Sequence, residues 1–198
     1  TIKDFFQNNS VETKVMNSYY GSDVNTPINL KNEKTIFSDE STIETAYQYA
    51  YEKGNQKLID ANMVGIPLDT EVKKDGKTIS KAETKYDNPV NLLPSSVLSY
   101  NMQSNTPSTE VTYDIYDGKR NLIQYTTKAG VSTSIIWGYN QTQPIAKIEG
   151  AKLSDITQTL INSIVNASDD TNANYSESTL LNQLDAFRIA LPNFQIST

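Results

Sequence analysis

The chain has 198 residues, and its 23 acidic and 17 basic side chains give a net charge of −6, which argues against nucleic-acid binding because that needs a basic face. It contains no cysteine and no histidine, which excludes disulfides, thiolate metal sites and hydrolytic centres of the Ser-His-Asp, Cys-His or zinc type. Hydrophobic residues make up 37%, and the 12 tyrosines are typical of a polar β protein rather than a compact enzyme core.

The first 29 residues carry the weakest pattern. Ile2, Phe5 and Phe6 fit either a short helix or a strand, whereas alternation predicts a strand over Val11–Tyr20 and a turn at Gly21–Asp23. The chain begins with threonine rather than methionine and carries no signal peptide, so we expect it to be a piece of a longer protein. No apolar run approaches the roughly 20 residues that a membrane-spanning helix needs.

Strand patterns dominate the chain up to residue 100. Thr35–Phe37 predicts a short strand, and Glu71–Lys81 predicts a hairpin with Asp75-Gly76 at its tip. A further strand is expected within Leu92–Tyr100. Ser41–Lys53 fits a strand but also a helix, because four of its apolar residues share one helical face.

The clearest local pattern begins at residue 111 and predicts a three-stranded antiparallel meander. Val111–Tyr116 alternates with period two, and Asp117–Asn121 supplies turn residues before Leu122–Thr126 runs back. Lys128–Gly130 predicts a second turn, and Val131–Tyr139 has the β-branched and aromatic content of a more fully buried strand.

After Gly150 the hydrophobic period changes to that of helices. One amphipathic helix is expected over Ser154–Ala167 with Ser154 as its cap, and a second is expected to begin at Ser176 and end before Pro192. Phe194–Thr198 predicts the start of another strand. The inner face of the second helix is predicted to consist of Leu180, Leu181, Leu184, Phe187 and Leu191.

These elements predict a mainly β fold of the α+β class, built from antiparallel hairpins and a meander with a C-terminal helical hairpin. Residues 1–150 are expected to form the sheet. Residues 151–198 are expected to form the αα-hairpin that packs on this sheet and to end in the start of a further strand.

Within Glu110–Glu149, Tyr113–Asp117 is followed by Asn121-Leu122. This run resembles the tyrosine-aspartate (YD) repeat of RHS-repeat proteins, whose core is Tyr-x-Tyr-Asp-x-x-Gly-Asn-Leu. Ile135–Asn140 with Pro144–Glu149 is similar to a segment of large cell-surface RHS-like proteins of bacteria. Arg120 stands where the repeat has glycine, so we expect Gly118 to supply the left-handed residue of the turn. The residues that carry the resemblance are Tyr113, Tyr116, Asp117, Gly118, Asn121, Trp137, Gly138 and Tyr139.

A degenerate second copy of the repeat begins at Tyr47–Tyr49. Ala50 replaces its aspartate, and Gly54-Asn55 and Leu58-Ile59 follow at the spacing of the repeat. This resemblance favours a strand over a helix for Ser41–Lys53.

The resemblance implies a non-catalytic structural module of RHS/YD-repeat type in a large secreted or surface-attached bacterial protein. In that family the repeats wind a continuous sheet that acts as a scaffold or as a shell around a C-terminal cargo or toxin domain. The implied partners are neighbouring repeats of the same polypeptide, such a cargo domain or a surface glycan, and no cofactor is implied.

Two other functions are open at this point. A carbohydrate-binding or adhesive module would use exposed tyrosines. Its candidates are Tyr116 and Tyr139, which regular pairing would place on the sheet face opposite to that of Tyr113 and Trp137. The competing interpretation is an aromatic face covered within the fold. A glycoside hydrolase would need two carboxylates roughly 5 to 10 Å apart. Its candidates include Asp69, Glu71, Asp114 and Asp117, although solvated charges on strand edges and turns are the favoured interpretation and Asp117 can cap its own turn.

The link between the helices is a weak calcium candidate. Asp170, Asn172 and Asn174 place oxygen side chains at alternate positions, as in a calcium loop. The EF-hand pattern fails because Tyr175 stands at the glycine position and Leu181 at the bidentate glutamate position. An ordinary Asn/Asp-rich loop is the competing interpretation.

Overall fold

A computed structural model describes residues 2–6, 9–21, 27–170 and 177–198. The fold is mainly antiparallel β with two helices near the C-terminus, which confirms the fold class that the sequence predicts. The chain divides into two compact units, Thr1–Glu110 and Val111–Thr198, and the boundary falls within one strand.

In the first unit, the first seven strands are joined by six antiparallel pairings, each between neighbours along the chain. The elements are β1 (Ile2–Phe6), β2 (Asn9–Tyr19), β3 (Leu30–Ile36), β4 (Thr42–Gln48), α1 (Gln56–Asp60), β5 (Asp69–Lys74), β6 (Lys77–Lys85) and β7 (Ser96–Tyr100). The strand β8 (Pro107–Tyr116) begins in this unit and ends in the second.

Most local predictions for this unit are confirmed. Ile2, Phe5 and Phe6 lie in a strand rather than a helix, and Thr42–Gln48 is the strand that the repeat pattern favoured. The hairpin tip has the left-handed geometry of a two-residue turn, with φ of 48° at Asp75 and 77° at Gly76. Residues 22 and 23 of the turn expected after Tyr20 lie outside the described residues.

The degenerate second repeat does not form a hairpin. Its Leu58 and Ile59 lie in helix α1, and β4 pairs with β5 instead. The reason is a helix cap, because the Asn55 side chain accepts a hydrogen bond from the Leu58 N–H and so begins a helix where the repeat has a strand. Leu58 is then fully buried beside Ala50 and Leu68, which form the small core of this unit.

The second unit contains the predicted meander. The end of β8 pairs with β9, β9 pairs with β10, β10 pairs with β11, and the predicted C-terminal strand is confirmed as β12 beside β11. Its elements after β8 are β9 (Leu122–Thr127), β10 (Ser132–Gly138), β11 (Gln143–Glu149), a 3-10 turn (Leu153–Asp155), α2 (Gln158–Asp169), α3 (Glu177–Ala190) and β12 (Gln195–Ser197).

The main hydrophobic core lies in this second unit, between its strands and the two helices. Phe187 of α3 is only 1% exposed, and Ile164 of α2 and Ile148 of β11 are fully buried. Burial of a side chain of this size contributes about 1.5–3 kcal/mol each, so these contacts hold the helices on the strands. The buried members of this cluster are Ile136, Ile145, Ala146, Ile148, Ala151, Ile156, Ile164, Ala167, Leu180, Leu184, Phe187 and Leu191.

Two details of the helices differ from the prediction. Helix α2 begins at Gln158 with Thr157 as its N-cap, because Ser154 lies in the 3-10 turn, where Asp155 Oδ2 accepts a hydrogen bond from the Lys152 N–H at 2.9 Å. Leu181 is 52% exposed and does not belong to the inner face, because the buried stripe of α3 follows steps of three and four from Leu180. The predicted cap Ser176 lies outside the described residues.

None of the helices in the described ranges is long and apolar enough to cross a membrane.

Candidate functional site

The turn between β8 and β9 is built around the Asp117 carboxylate. Its Oδ1 accepts hydrogen bonds from the Lys119 N–H at 2.9 Å and the Asn121 N–H at 2.8 Å, and its Oδ2 accepts from Asn121 Nδ2 at 3.0 Å. The expectation that Gly118 supplies the left-handed residue is wrong. Arg120 has a φ of 72°, so the left-handed position stays where the YD repeat has glycine.

The turn between β10 and β11 is left-handed over three consecutive residues. Tyr139, Asn140 and Gln141, called the left-handed turn below, have φ of 51°, 56° and 60°. A run of this kind is strained, since each such residue costs on the order of 1 kcal/mol. The last residues of α2 hold it: the Tyr139 N–H donates to Ser168 Oγ at 3.2 Å, and the Asn140 N–H donates to Asp169 Oδ1 at 2.7 Å.

Hydrogen bonds join the two turns to each other. Lys119 Nζ donates to the carbonyl oxygen of Asn140, and Asn121 Nδ2 donates to that of Gln141 at 2.9 Å. Gly138 precedes the left-handed turn at the point where α2 comes closest, and a Cβ there would lie 2.8 Å from Ile145 Cδ1 and closer still to Ser168 Oγ. The Trp-Gly-Tyr-Asn segment therefore lets a strand, a turn and the end of a helix meet.

A cavity of about 320 Å³ lies beside these turns, between helix α2 and the strands β9 and β10. We call it the Trp137 pocket. Trp137 Nε1 donates to the carbonyl oxygen of Leu122 at 2.9 Å, which fixes the indole ring. The cavity is lined by Asp117, Ile123, Ile135, Ile136, Trp137, Gln141, Leu153, Gln158, Ile161, Asn162 and Val165.

The tyrosine candidates do not share one regular strand face. The register shifts on both sides of Ile115 and again between Ile136 and Trp137, so the regular pairing on which their placement depended is absent. Tyr116 is half-buried at the end of β8, and Tyr139 is 40% exposed in the left-handed turn. Tyr113 is half-buried opposite Tyr125.

The first unit contains a charged cluster that was not predicted from the sequence. Asp69 and Glu83 face each other across β5 and β6, and both carboxylates are almost fully buried. Lys53 Nζ lies 2.8 Å from Glu83 and 3.4 Å from Asp69. We call this group, which is completed by Lys81, Lys85 and Tyr100, the Lys53 cluster.

Hydrogen bonds keep Glu83 ionised. Burial alone would raise the pKa of its carboxyl, but donors from Lys53, Tyr100 and Lys85 outweigh this and lower the pKa to about 2. The bond to Glu83 in turn raises the pKa of the Tyr100 hydroxyl. At neutral pH Glu83 therefore has no proton to donate, which removes it from the acid role that a glycoside hydrolase requires.

The four carboxylates considered for hydrolysis lie in different settings. Asp69 belongs to the Lys53 cluster, and Glu71 accepts hydrogen bonds from Thr78 Oγ1 at 2.6 Å and from Lys73, which lower the pKa of its carboxyl. Asp114 is exposed, and its Oδ2 accepts from Gln124 and Thr126 in the second unit. Asp117 caps its own turn.

Neither Glu83 nor Lys53 was predicted from the sequence to belong to a site, and the reasons differ. Lys81, Glu83 and Lys85 alternate along β6, so this charged stripe on one strand face was available as a signal. Lys53 lies in the turn before α1, and nothing in its neighbourhood along the chain indicates its contact with a strand 30 residues later.

The calcium candidates are separated by the limits of the described residues. Asp170 is the half-buried C-cap of α2, whereas Asn172 and Asn174 lie outside the described residues. Within the ranges that the structure describes, no three acidic side chains are grouped so that they could hold a metal ion.

Comparison of the chain with protein-family models and with curated protein sequences gives no match.

Proposed function

We propose that this chain is a non-catalytic structural module of a large exported or surface-attached bacterial protein of RHS/YD-repeat type, where it serves as a scaffold or shell segment. The observation that carries the proposal is the strand order. In each unit the strands pair antiparallel with their neighbours along the chain. A sheet that grows by one hairpin after another is what winding repeats require.

The residues that carry the motif support this role because their contacts and conformations shape the backbone. Asp117 and Asn121 close one turn, and Gly138 permits close packing of α2. Tyr139 begins the left-handed turn that the end of α2 holds. Residues with these tasks specify a shape.

The Lys53 cluster supports a structural role for the first unit. Its two buried carboxylates each contact two lysines, so their charges are compensated within the fold. A compensated and hydrogen-bonded cluster of this kind fixes the register of β5 and β6.

The proposal is tested in the bacterium that produces the protein. An antibody raised against the purified chain should detect a polypeptide much larger than 22.1 kDa in the medium or on the cell surface. Protease added to intact cells should degrade the surface form, while a cytoplasmic marker stays intact. Detection of a product of about this mass that only cell lysis releases would contradict the proposal.

A carbohydrate-binding role is the second candidate, because Tyr139 is 40% exposed in the left-handed turn. A glycan array with the purified chain separates the two roles. The structural role is expected to give no glycan signal above background. A specific signal that Tyr139→Ala removes would favour carbohydrate binding instead.

A further inference from the structure

Apolar surface in the Trp137 pocket remains accessible, although the rest of the second unit would be expected to cover it. The strand and helix residues of the main core are nearly fully buried. By contrast, all the large apolar side chains in the pocket lining except the buried Ile136 are only half-buried, namely Ile123, Ile135, Trp137, Leu153, Ile161 and Val165. A contiguous apolar concavity with a few polar groups is the usual form of a small-molecule site.

The charge at the pocket has one sign. Among the lining residues that the structure describes, Asp117 alone is charged, and its Oδ2 accepts one hydrogen bond from within the chain and has capacity for another. Lys119, whose ammonium group donates to the carbonyl oxygen of Asn140, does not line the pocket. Neutral amides of Gln141, Gln158 and Asn162 complete the polar lining. The pocket therefore favours a cation over an anion.

The indole adds a second feature that favours a cation. The Trp137 ring is held in place through its N–H, and an aromatic face attracts ammonium groups within about 6 Å of the ring centre. The volume of about 320 Å³ lies at the small end of the range for ligand pockets. One ring with a short side chain matches this size better than a polymer segment.

We propose that the Trp137 pocket binds a small arylalkylamine, with its ring among the aliphatic side chains and its ammonium group directed to Asp117. This site is separate from the scaffold role, and either can hold without the other. The ligand requires no metal and no cofactor, because recognition rests on burial, charge and the indole face.

The test uses the intrinsic fluorescence of Trp137, which is the only tryptophan of the chain. The purified protein is titrated with three probes of matched size: phenethylamine, 2-phenylethanol and 3-phenylpropionate. We expect a saturable change with the amine, weaker binding of the alcohol, and binding of the acid at least about tenfold weaker than that of the amine. The indole N–H resonance in NMR spectra gives a second readout of the same side chain.

Two variants and a matched control locate the effect. Asp117→Asn should reduce the preference for the amine over the alcohol, and circular dichroism checks that the turn still folds. Gln158→Lys places a cation at the exposed rim without touching that turn and should weaken amine binding about tenfold. Thr159→Lys adds the same charge one residue along the helix, outside the pocket lining, and should leave binding unchanged.

Three results would overturn the proposal. The first is the absence of a saturable change in both the fluorescence and the indole resonance with the amine. The second is binding of the acid as tightly as the amine. The third is equal effects of Gln158→Lys and Thr159→Lys, which would show that net charge rather than the pocket controls the response.

Discussion

Arg120 has the backbone conformation that the YD repeat assigns to glycine. Its φ of 72° puts a side chain with a Cβ into a region where the Cβ crowds the backbone. Turn hydrogen bonds fix this position, since the Arg120 N–H donates to the carbonyl oxygen of Asp117 at 3.0 Å and the Asn121 N–H donates to its carboxylate. The turn therefore keeps its length and tolerates strain at one residue.

Replacing this arginine by glycine should stabilise the protein. Arg120→Gly removes the strain of about 1–2 kcal/mol but adds chain entropy to the unfolded state, so we expect a net gain of up to about 1 kcal/mol in the free energy of unfolding. Urea unfolding followed by circular dichroism measures it. Arg120→Ala, which removes the charge and keeps the Cβ, should give no gain. Equal gains in both variants would show that the side chain, not the backbone, is responsible.

Glu83 should make the free energy of unfolding depend on pH in the acid range. Its pKa is lowered from 4.5 to about 2 in the folded protein, so the unfolded state binds more protons between these two values. The stabilisation is therefore complete above about pH 4.5 and is lost as the pH falls towards 2, with a total on the order of 3 kcal/mol. Urea unfolding at several pH values should give a flatter curve for Glu83→Gln, which is also less stable at neutral pH.

A surface pair provides the control for this pH dependence. Glu149 accepts from Lys147 at 2.6 Å, but its side chain is 41% exposed and the pair is solvated. Glu149→Gln should retain the steep acid dependence of the unmodified protein. If Glu83→Gln and Glu149→Gln give the same curve, the Lys53 cluster does not set the acid stability.

Among the elements, the contact of α2 with β10 depends on the missing side chain of Gly138. A Cβ at this position would lie 2.8 and 2.9 Å from two carbon atoms of Ile145 and would also meet Ser168 Oγ. We expect Gly138→Ala to lower the free energy of unfolding by about 1–3 kcal/mol through overpacking. Thermal unfolding measures the loss. Gly118→Ala is the matched control, because no atom lies within 4 Å of the added Cβ and its φ is not left-handed. Similar losses in both variants would contradict this role of Gly138.

The elements that the sequence predicts well are those defined by local patterns. Alternation predicted the meander, and Asp75-Gly76 predicted a turn that the structure contains. The start of α2 was misplaced because Ser154 is a good cap in isolation, while the 3-10 turn around it is set by Asp155. Helix α1 was missed because one cap at Asn55 and the burial of Leu58 override the repeat pattern.

The candidate sites were only partly predictable. Asp117 and Trp137 were singled out from the sequence, but the pocket between them needs Ile161 and Val165 of α2, whose position depends on tertiary packing. The Lys53 cluster joins a turn lysine to a distant strand, and periodicity carries no information on such a contact. The sequence therefore indicates which residues are chemically suited to a site. It does not indicate how residues from distant parts of the chain come together.

At the scale of the whole molecule, the two units differ in how many apolar side chains they bury. The first unit has a small cluster around Leu58, and the described residues of its strands β2 to β4 are half-buried or exposed. Among its described residues, the second unit has a continuous core of twelve buried side chains that includes both helices. Local stability follows buried apolar contacts, so amide hydrogens of β10, β11 and α3 should exchange more slowly than those of β2 to β4.

Native-state hydrogen exchange can test this difference with one substitution in each unit. Phe187→Ala removes the centre of the larger core and should cost about 3–5 kcal/mol, with the loss of protection concentrated in β10, β11, α2 and α3. Leu58→Ala should cost about 2–5 kcal/mol and act on α1 and the start of β5, where its partner Leu68 immediately precedes the strand. Mass spectrometry of peptide fragments assigns the exchange to each segment. An equal fall in protection across all segments with either variant would show that the chain opens as one cooperative unit.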